Sequence, residues 1–552
     1  MKQKILLILL GLLTCVQMPA QKWFKKARKA QVNVLTYDAQ GQLLRSSNAF
    51  VVTDDGTALS DYATFKGAAR AVAIDDGGKQ YEVDYVCGAS SLYDVVRFHI
   101  AGLKATPVKL ATVASIKGQT AHIMPYLGNK ANSCTPATIS DVSRFNDHYT
   151  YYTLDTAATE KSASCPVLND EGEVIGLLQM AATNSDKQCF VLDASFPMSL
   201  TTTAISATSS DYRDIHIRKA LPTDASQANS FIYLTGTQDT VLYQAYIDDF
   251  IRLFPTEPAG YVMKGELLAS MTDYAGAEQA WAAGLKATKA TDELHYSMAR
   301  SIYAQTQAHT DLPEGWTLAH ALEEAEQAFA TNPLPTYTAL QGHILYSQKN
   351  YEAACQKFQE VCRTNLRSAS HFLYAAQCKQ MLSDTLGVLA LQDSAVACFS
   401  KPYVEEAATP LLMRANTLIA LKSYREAVAD LNEYEHLKAA SVNANFYDQR
   451  AQAELQCRMF QQALNDYERA CQLEPNEPLY PAQLAALHYR VGQVDECISA
   501  ARKAIALDAE FADAYRILGV ALRHQGKQSE ARQQLQKAAE LGDTIARDLL
   551  AE

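Results

Sequence analysis

The spacing of hydrophobic residues changes once along the chain. From Val32 to about Leu200, short segments rich in Val, Ile, Tyr and Thr are separated by Gly and Asp, as in VNVLTYDAQGQ and AFVVTDDGTAL. Short alternating segments joined by Asp-Gly or Gly-Gly turns are typical of an all-β barrel or sandwich. From about Val241 to the end the pattern is helical, alanine-rich and repetitive. The sequence therefore predicts an all-β part followed by an all-α part.

The helical part repeats one packing template. A small residue on the first helix of a pair faces a small residue on the second, and a large side chain one turn later fills the remaining gap. The period is about 34 residues, which is typical of tetratricopeptide repeats. We count about eight units, and we expect two of them, those at Ala299 and Ala376, to carry inserts within the helical hairpin. Their first small residues are Gly265, Ala299, Gly342, Ala376, Ala415, Ala451, Ala485 and Gly519.

Residues 241–545 resemble the tetratricopeptide repeat (TPR) family. The resemblance implies a right-handed superhelix whose concave face holds peptides or partner domains. The alternative is an irregular helical bundle with alanine-rich interfaces. We see no cluster of Lys, Arg and Asn at matched repeat positions that would grip a peptide carboxylate. Because this half is acidic on balance, neutral or basic partners are favoured.

Composition and charge exclude some classes of partner. The chain has 552 residues, 48% hydrophobic and 20% charged, and a formal net charge of −12. This length exceeds a single core, and the composition is that of a packed globular protein. Nucleic-acid surfaces need clustered Lys and Arg, so we expect no DNA or RNA partner.

The first 20 residues are expected to be a signal peptide. Lys2 and Lys4 precede the apolar run from Ile5 to Leu13, and Ala20 ends a plausible cleavage site. The apolar run is shorter than the roughly 20 residues that span a bilayer. Cys15 lies in a weak lipoprotein box, so the alternative to cleavage after Ala20 is a lipid anchor at Cys15. The sequence thus predicts export to the periplasm or cell envelope, and the anchor would give an outer-membrane lipoprotein with peripheral membrane association.

Cysteines and histidines form no familiar metal motif. Neither Cys-x-x-Cys nor His-Glu-x-x-His occurs, so we predict no metal and no cofactor. An exported chain can form disulfides. The candidates in the first half are Cys87, Cys134, Cys165 and Cys189.

The stretch EKSASCPVLNDEGEVIG, residues 160–176, ends in two predicted strands joined by a polar turn. This tail resembles the segment that follows the nucleophile in trypsin-like serine proteases. Those enzymes carry Gly-x-Ser-Gly-Gly-Pro just before it. Here the six positions are Lys161 to Pro166, and the nucleophile position is Ala163.

Residues 31–200 resemble the trypsin-like domain of periplasmic stress proteases. In that family a Thr-x-x-His-Val-Val-x-Gly-Ala run carries the catalytic histidine. The matching run is Ser60 to Ala68, which puts Ala63 in the base position. The family's aspartate corresponds to Asp94, at the head of the strand that ends at Ile100. The resemblance implies a double β-barrel with a substrate cleft, in which Ala63, Asp94 and Ala163 are vestigial catalytic positions and none of the catalytic machinery is intact.

Alanine at two of these positions removes the chemistry of the triad. The serine supplies the attacking oxygen, the histidine takes its proton, and the aspartate orients the imidazole. Loss of either the serine or the histidine alone costs about 10⁶ in turnover in a serine protease. The glycine positions that let backbone amides point at the oxyanion are Lys161, Ser164 and Cys165, so the resemblance leaves no clear oxyanion hole either.

The alternative is an endopeptidase with relocated catalytic residues. We expect His99 to be solvated on the outer side of its strand, and Cys165 to be buried or disulfide-bonded rather than nucleophilic. The candidate replacements are Ser162, Ser164 and Cys165 as nucleophiles and His99, His122 and His148 as bases.

The sequence predicts a multidomain chain with four consecutive segments. Residues 1–20 form the signal peptide, 21–200 the trypsin-like (pseudo)protease double barrel, 201–240 a linker and 241–552 the TPR domain. The leading hypothesis for function is an exported, non-catalytic scaffold that binds proteins or peptides in the repeat groove. Besides the endopeptidase, a purely structural envelope subunit anchored through Cys15 remains an alternative.

Overall fold

The computed structural model describes residues 21–126, 134–180, 187–236 and 239–551. The chain divides into two compact units, residues 1–290 and 291–552. The first unit contains twelve strands within its described residues, and the second is helical. The predicted order of an all-β part followed by an all-α part is confirmed.

The strands form two closed six-stranded barrels. In the first barrel the strand order is β1-β2-β3-β6-β5-β4, and in the second it is β10-β11-β12-β9-β8-β7. All pairs within both barrels are antiparallel. The strands are β1 Gln31–Tyr37, β2 Leu43–Val51, β3 Thr57–Ser60, β4 Arg70–Ile74, β5 Gln80–Ser90, β6 Val95–Ile100, β7 Thr120–Ile123, β8 Thr135–Phe145, β9 Tyr149–Leu154, β10 Pro166–Leu168, β11 Val174–Gln179 and β12 Cys189–Asp193.

Alternating apolar residues build each barrel core. In β1, Val32 and Val34 are buried while the residues between and after them are partly exposed, as the period of two requires. Phe65 and Phe98 pack in the first barrel with ring centroids 4.7 Å apart. In the second barrel, a Cβ on Gly176 would overlap the backbone carbonyl of Leu192, so only glycine fits there.

Short helices precede, interrupt and follow the strands of the barrel region. They are α1 Gln21–Lys29, α2 Tyr62–Phe65, α3 Phe196–Ser199 and α4 Ser210–Arg213. Trp23 of α1 lies over the turn between β10 and β11, where a Cβ on Gly172 would overlap its ring. Gly172 also has a φ of +80°, which favours glycine independently.

Within the expected linker, residues 201–236 belong to the first unit and are attached to its first barrel. The Val86 amide of β5 donates to the Arg218 carbonyl (2.9 Å), and the Ala220 amide donates back to Val86 (2.8 Å). This segment continues into α5 Ala225–Thr235 and α6 Thr240–Leu253. These bonds attach residues 218–220 to the first barrel. Apolar side chains of the segment also contribute, since Tyr212, Ile215 and Ile217 are buried in the core of the first barrel.

Eight consecutive helix pairs and a final helix make up the rest of the described chain. Gly265, Gly342 and Gly519 each leave room for a large side chain of the paired helix, namely Trp281, Phe358 and Leu535. The helices are α7 Pro258–Ser270, α8 Tyr274–Ala287, α9 Asp292–Ala308, α10 Leu318–Thr331, α11 Pro335–Ser347, α12 Tyr351–Val361, α13 Ala369–Met381, α14 Thr385–Val396, α15 Ala408–Ala420, α16 Tyr424–Lys438, α17 Ala444–Gln456, α18 Phe460–Leu473, α19 Leu479–Arg490, α20 Val494–Leu507, α21 Ala512–His524, α22 Gln528–Glu540 and α23 Thr544–Ala551.

One of the two expected inserts lies elsewhere. Residues 309–317 separate α9 from α10, as expected for the unit at Ala299. In the unit at Ala376, only residues 382–384 join α13 to α14, and the irregular stretch is 397–407, after the hairpin. The prediction was wrong because the small residue of the second helix is replaced by Val388, which is buried in this core.

Candidate functional site

Ala63 and Asp94 lie next to each other in the first barrel. Strand β3 ends at Ser60, Asp61 caps the short helix α2, and Ala63 follows in its first turn. The Ala63 amide donates to Asp94 Oδ1 at 2.9 Å. Burial raises the pKa of Asp94, and the bond from the Ala63 amide opposes that shift. The Asp94 carboxylate therefore accepts a hydrogen bond from the backbone amide of the predicted base position, where the family places an imidazole.

Ala163 lies at the end of a single 3₁₀ turn, Glu160–Ser162. Its amide donates to the carbonyl of Thr159 at 3.1 Å. The Asn48 side chain of β2 donates to the carbonyls of Ala163 (2.7 Å) and Lys161 (3.1 Å). An oxyanion hole needs the amide of the nucleophile residue to point at the substrate oxygen. Here that amide is already used inside the turn.

Asp61 connects the two positions. Its carboxylate accepts hydrogen bonds from Ser164 Oγ (2.6 Å), Ser47 Oγ (2.5 Å) and the Thr64 amide (2.7 Å). Ser164 has a φ of +61°, at a position where the family has glycine. Asp61 thus ties the residue after Ala163 to the N-terminus of α2, the helix that carries Ala63.

Sequence reasoning missed Asn48, Asp61 and Thr159. Asp61 carried a usable signal, because an Asp before a short polar-to-apolar run is a typical helix N-cap. No local signal in the sequence marks Asn48, since its hydrogen bonds join residues more than 110 positions apart.

The three candidate nucleophiles are held by other groups. Ser162 Oγ accepts from the Thr159 amide (2.8 Å) and donates to its carbonyl (2.9 Å). Ser164 donates to Asp61, as described above. Cys165 is fully buried, and burial raises its pKa to about 12. A thiol that stays protonated is a poor nucleophile.

The candidate bases are not positioned for catalysis. His99 bonds through Nδ1 to Asp84 (2.6 Å) and through Nε2 to the Asp55 carbonyl (2.8 Å), and it stacks on Tyr85. The expectation that His99 is solvated was wrong, because both ring nitrogens have protein partners. His122 bonds to Asp170 at 2.7 Å, and His148 is exposed. In the described part of residues 21–200, no imidazole bonds to a hydroxyl or a thiol.

The disulfide candidates are free thiols. Cys87 and Cys134 are half-buried, and Cys165 and Cys189 are buried. Burial raises the pKa of Cys189 to about 11. Cys165 is therefore a buried thiol, one of the two alternatives expected for it, and the pairing suggested by export is absent among these four residues.

Neither a metal cluster nor a membrane-spanning helix occurs in the described ranges. No group of three or more His, Cys, Asp or Glu is arranged to hold a metal ion. None of the described helices has the length and hydropathy required to cross a bilayer. The predicted lipid attachment at Cys15 and the signal peptide lie outside the described residues.

Part of the barrel region is similar to a known family. Residues 47–177, from β2 to β11, match the family model described as "Trypsin-like peptidase domain". Similar solved structures include a protease from M. tuberculosis in its active form, 18% identical, with a TM-score of 0.28, covering 33% of this chain and 86% of that chain. Another is the serine endoprotease from Yersinia pestis, 16% identical, with a TM-score of 0.28, covering 35% and 66%.

The helical half is TPR-like. The chain is 33% identical over 112 residues to the small glutamine-rich tetratricopeptide repeat-containing protein 2 of Mycosarcoma maydis. This similarity spans 20% of the chain and 29% of that relative. The chain thus combines a double barrel similar to trypsin-like peptidase domains with TPR-like helices.

Proposed function

We propose that this protein is an exported, non-catalytic scaffold. In this view the trypsin-like domain is retained for its shape, and the TPR-like helices bind proteins or peptides in the cell envelope. One observation carries the proposal: the Ala163 amide, which an oxyanion hole would need, donates to Thr159 within its own turn.

The surrounding side chains support the same view. Alanine at residues 63 and 163 offers neither a proton acceptor nor an attacking oxygen. Neighbouring Ser162 and Ser164 have partners that are not imidazoles. Relocated catalysis would require at least one hydroxyl or thiol within hydrogen-bond reach of a base, and nothing in the described barrels favours it.

Active-site probes test the absence of catalysis. The purified chain is incubated with a fluorophosphonate probe and, separately, with an iodoacetamide probe, and labelled sites are mapped by mass spectrometry. We expect no labelling of Ser162, Ser164 or Cys165 in the native chain. Labelling of any of these that is lost on heat denaturation would identify a working nucleophile and overturn the proposal.

Cross-linking tests the binding role. Lysine-reactive cross-linking of the full chain in the envelope fraction should join partners to lysines of residues 291–551. Partner cross-links found only in residues 21–200 would instead assign binding to the barrels.

Export rests on the sequence, from Lys2 and Lys4 through the apolar run to Ala20. Fractionation of cells that express the chain and its Cys15→Ser variant distinguishes the two routes. A soluble envelope protein in both cases supports cleavage after Ala20, whereas release from the membrane by the substitution supports the lipid anchor. A cytoplasmic chain in both cases would reject export.

A further inference from the structure

A cavity of about 400 Å³ lies in the first unit, where residues 206–219 meet helices α5 and α6. Three basic side chains line it, those of Arg213, His216 and Lys219. None of the described residues that line the cavity is acidic. The lining therefore concentrates positive charge without a carboxylate of its own.

The acidic residues nearest to this lining in sequence bond to other groups. Asp214 pairs with Lys66 at 3.7 Å, and Asp211 accepts hydrogen bonds from the backbone amide and the hydroxyl of Ser91. Neither Asp211 nor Asp214 lines the cavity. An anion from outside the chain would therefore meet the basic groups without competition from a lining carboxylate.

Lys219 is the unusual member of this lining. Its side chain is 8% exposed, and its ammonium donates to the carbonyls of Ile215 (2.5 Å) and Ile217. Burial lowers the pKa of Lys219 to about 8, and no neighbouring carboxylate opposes that shift. Buried charges are normally paired with an opposite charge. An ammonium has three N–H donors, so one remains for an anion after the two carbonyls.

The walls of the cavity are largely apolar. Phe231 and Leu234 of α5 and Leu242 and Tyr246 of α6 line it, and the rings of Phe231 and Tyr246 lie 5.6 Å apart. Leu234 is 47% exposed, so a ligand in the cavity can cover it. Small-molecule sites combine such walls with a few polar groups that fix the orientation of the ligand. An inorganic anion would leave the apolar walls unused.

We propose that this cavity binds an organic monocarboxylate with an apolar body. The carboxylate pairs with the ammonium of Lys219, and the apolar body packs against Phe231, Leu234 and Leu242. Arg213 adds positive charge at the cavity and favours the anion. A neutral amide of the same shape leaves the Lys219 charge without a counter-ion. This inference goes beyond the scaffold role and does not depend on peptide binding by the helical unit.

Protection of Lys219 from acetylation tests both access and binding. The full chain is treated with acetic anhydride alone, with octanoate, or with octanamide as the matched neutral probe, and acetylated lysines are quantified by mass spectrometry. We expect acetylation of Lys219, reduced about tenfold by saturating octanoate and unchanged by octanamide. Lys264 is the internal control, since it pairs with Asp248 at 2.8 Å and does not line the cavity.

Substitutions test which group holds the carboxylate, with octanoate binding measured by calorimetry. Lys219→Met keeps the length of the side chain and removes its charge, so it should abolish binding. Lys264→Met is the matched control and should bind octanoate as the unsubstituted chain does. Arg213→Gln changes an exposed side chain and should weaken binding by about threefold to fivefold. Thermal unfolding shows whether each variant is folded.

Several results would overturn this site. One is a Lys219 that is acetylated only after denaturation, because the amine would then be closed to ligands. Others are equal protection or equal binding by octanoate and octanamide, and unchanged octanoate binding in folded Lys219→Met. If Lys219→Met does not fold, unchanged affinity in Arg213→Gln counts against the site in its place.

Discussion

Buried polar groups are satisfied differently in the barrel region and in the second, helical unit. Around Ala63 and Ala163, the side chains of Asn48, Asp61 and Ser164 bond to one another and to backbone groups. Among the described residues, six buried side-chain atoms have no hydrogen-bond partner, and only Arg97 Nε belongs to the barrels. The other five, on Gln341, Gln392, Asp448, Glu454 and Tyr467, belong to the helical unit.

The two regions therefore differ in what their buried polar side chains bond to. In the barrel region, the polar side chains around Ala63 and Ala163 hold the local backbone in place. The helical unit holds five of the six buried side-chain atoms without a hydrogen-bond partner among the described residues, and such atoms are costly to leave unsatisfied. Polar burial in this unit is therefore the better place to measure the energetic cost of unmet hydrogen bonds.

The largest expected effect tests a buried ion pair of the helical unit. Arg450 makes two bonds to Asp466, 2.7 and 2.8 Å, and both side chains are buried. Arg450→Met leaves a buried carboxylate without its partner, so we expect a loss of about 3–5 kcal/mol in the free energy of unfolding, measured by denaturant titration.

Two control variants test whether the loss comes from burial of an unpaired charge. The double variant Arg450→Met/Asp466→Leu should recover part of the loss, because it removes the carboxylate that the single variant leaves buried and unpaired. Recovery is not complete, since Glu435 also bonds to Arg450 and keeps only Tyr447 as a partner. Arg70 in the first barrel pairs with Glu82 on the surface, so Arg70→Met should cost less than about 1 kcal/mol. Equal losses in the two single variants would remove the distinction between the regions.

The next effect is a pH dependence centred on Glu454. Its side chain is buried, and burial raises its pKa to about 8, with repulsion from Asp466 adding to the shift. A carboxyl whose pKa is raised by folding stabilises the fold fully below its unfolded pKa of about 4.3, and that contribution falls as pH rises toward the folded pKa.

Glu454→Gln removes this titration. Relative to the unsubstituted chain, the variant should gain stability between pH 5 and pH 8, by an amount on the order of 2 kcal/mol. Denaturant unfolding at several pH values measures the difference. Parallel stability curves for the two chains would mean that Glu454 is not a buried, proton-binding group.

The sequence was sufficient for the architecture because packing patterns are local. Alternation in VNVLTYDAQGQ and the turn in DDGT predicted β1 to β3, and the recurring small residues predicted the helical half. The pattern does not predict β8, since TPATISDVSRF carries few apolar residues and is largely exposed. The partners of Asn48 and the environment of His99 depend on contacts between distant strands, which no local pattern encodes.

A smaller effect concerns the backbone next to the nucleophile position. Ser164 combines a positive φ with a bond to Asp61. Ser164→Ala keeps the strained conformation and loses the bond, so it should destabilise the fold by about 1–3 kcal/mol. Ser164→Gly also loses the bond but relieves the strain, and should cost about 1 kcal/mol less. Thermal unfolding of both variants gives the comparison, and equal losses would show that φ carries no strain there.

The smallest expected effect is on catalysis, and it is zero. The double variant Ala63→His/Ala163→Ser restores an imidazole beside Asp94 and a hydroxyl at the nucleophile position. We nevertheless expect no cleavage of fluorescent casein above the unsubstituted chain, because the residue-163 amide remains bonded to Thr159 and cannot stabilise an oxyanion. Replacing Lys161, Ser164 and Cys165 by glycine in that variant gives the loop the freedom to turn this amide outward. Activity that appears only in this second variant would locate the remaining defect in the loop. Activity already present in the double variant, without the three glycines, would mean that the barrel site lacks only its two missing side chains.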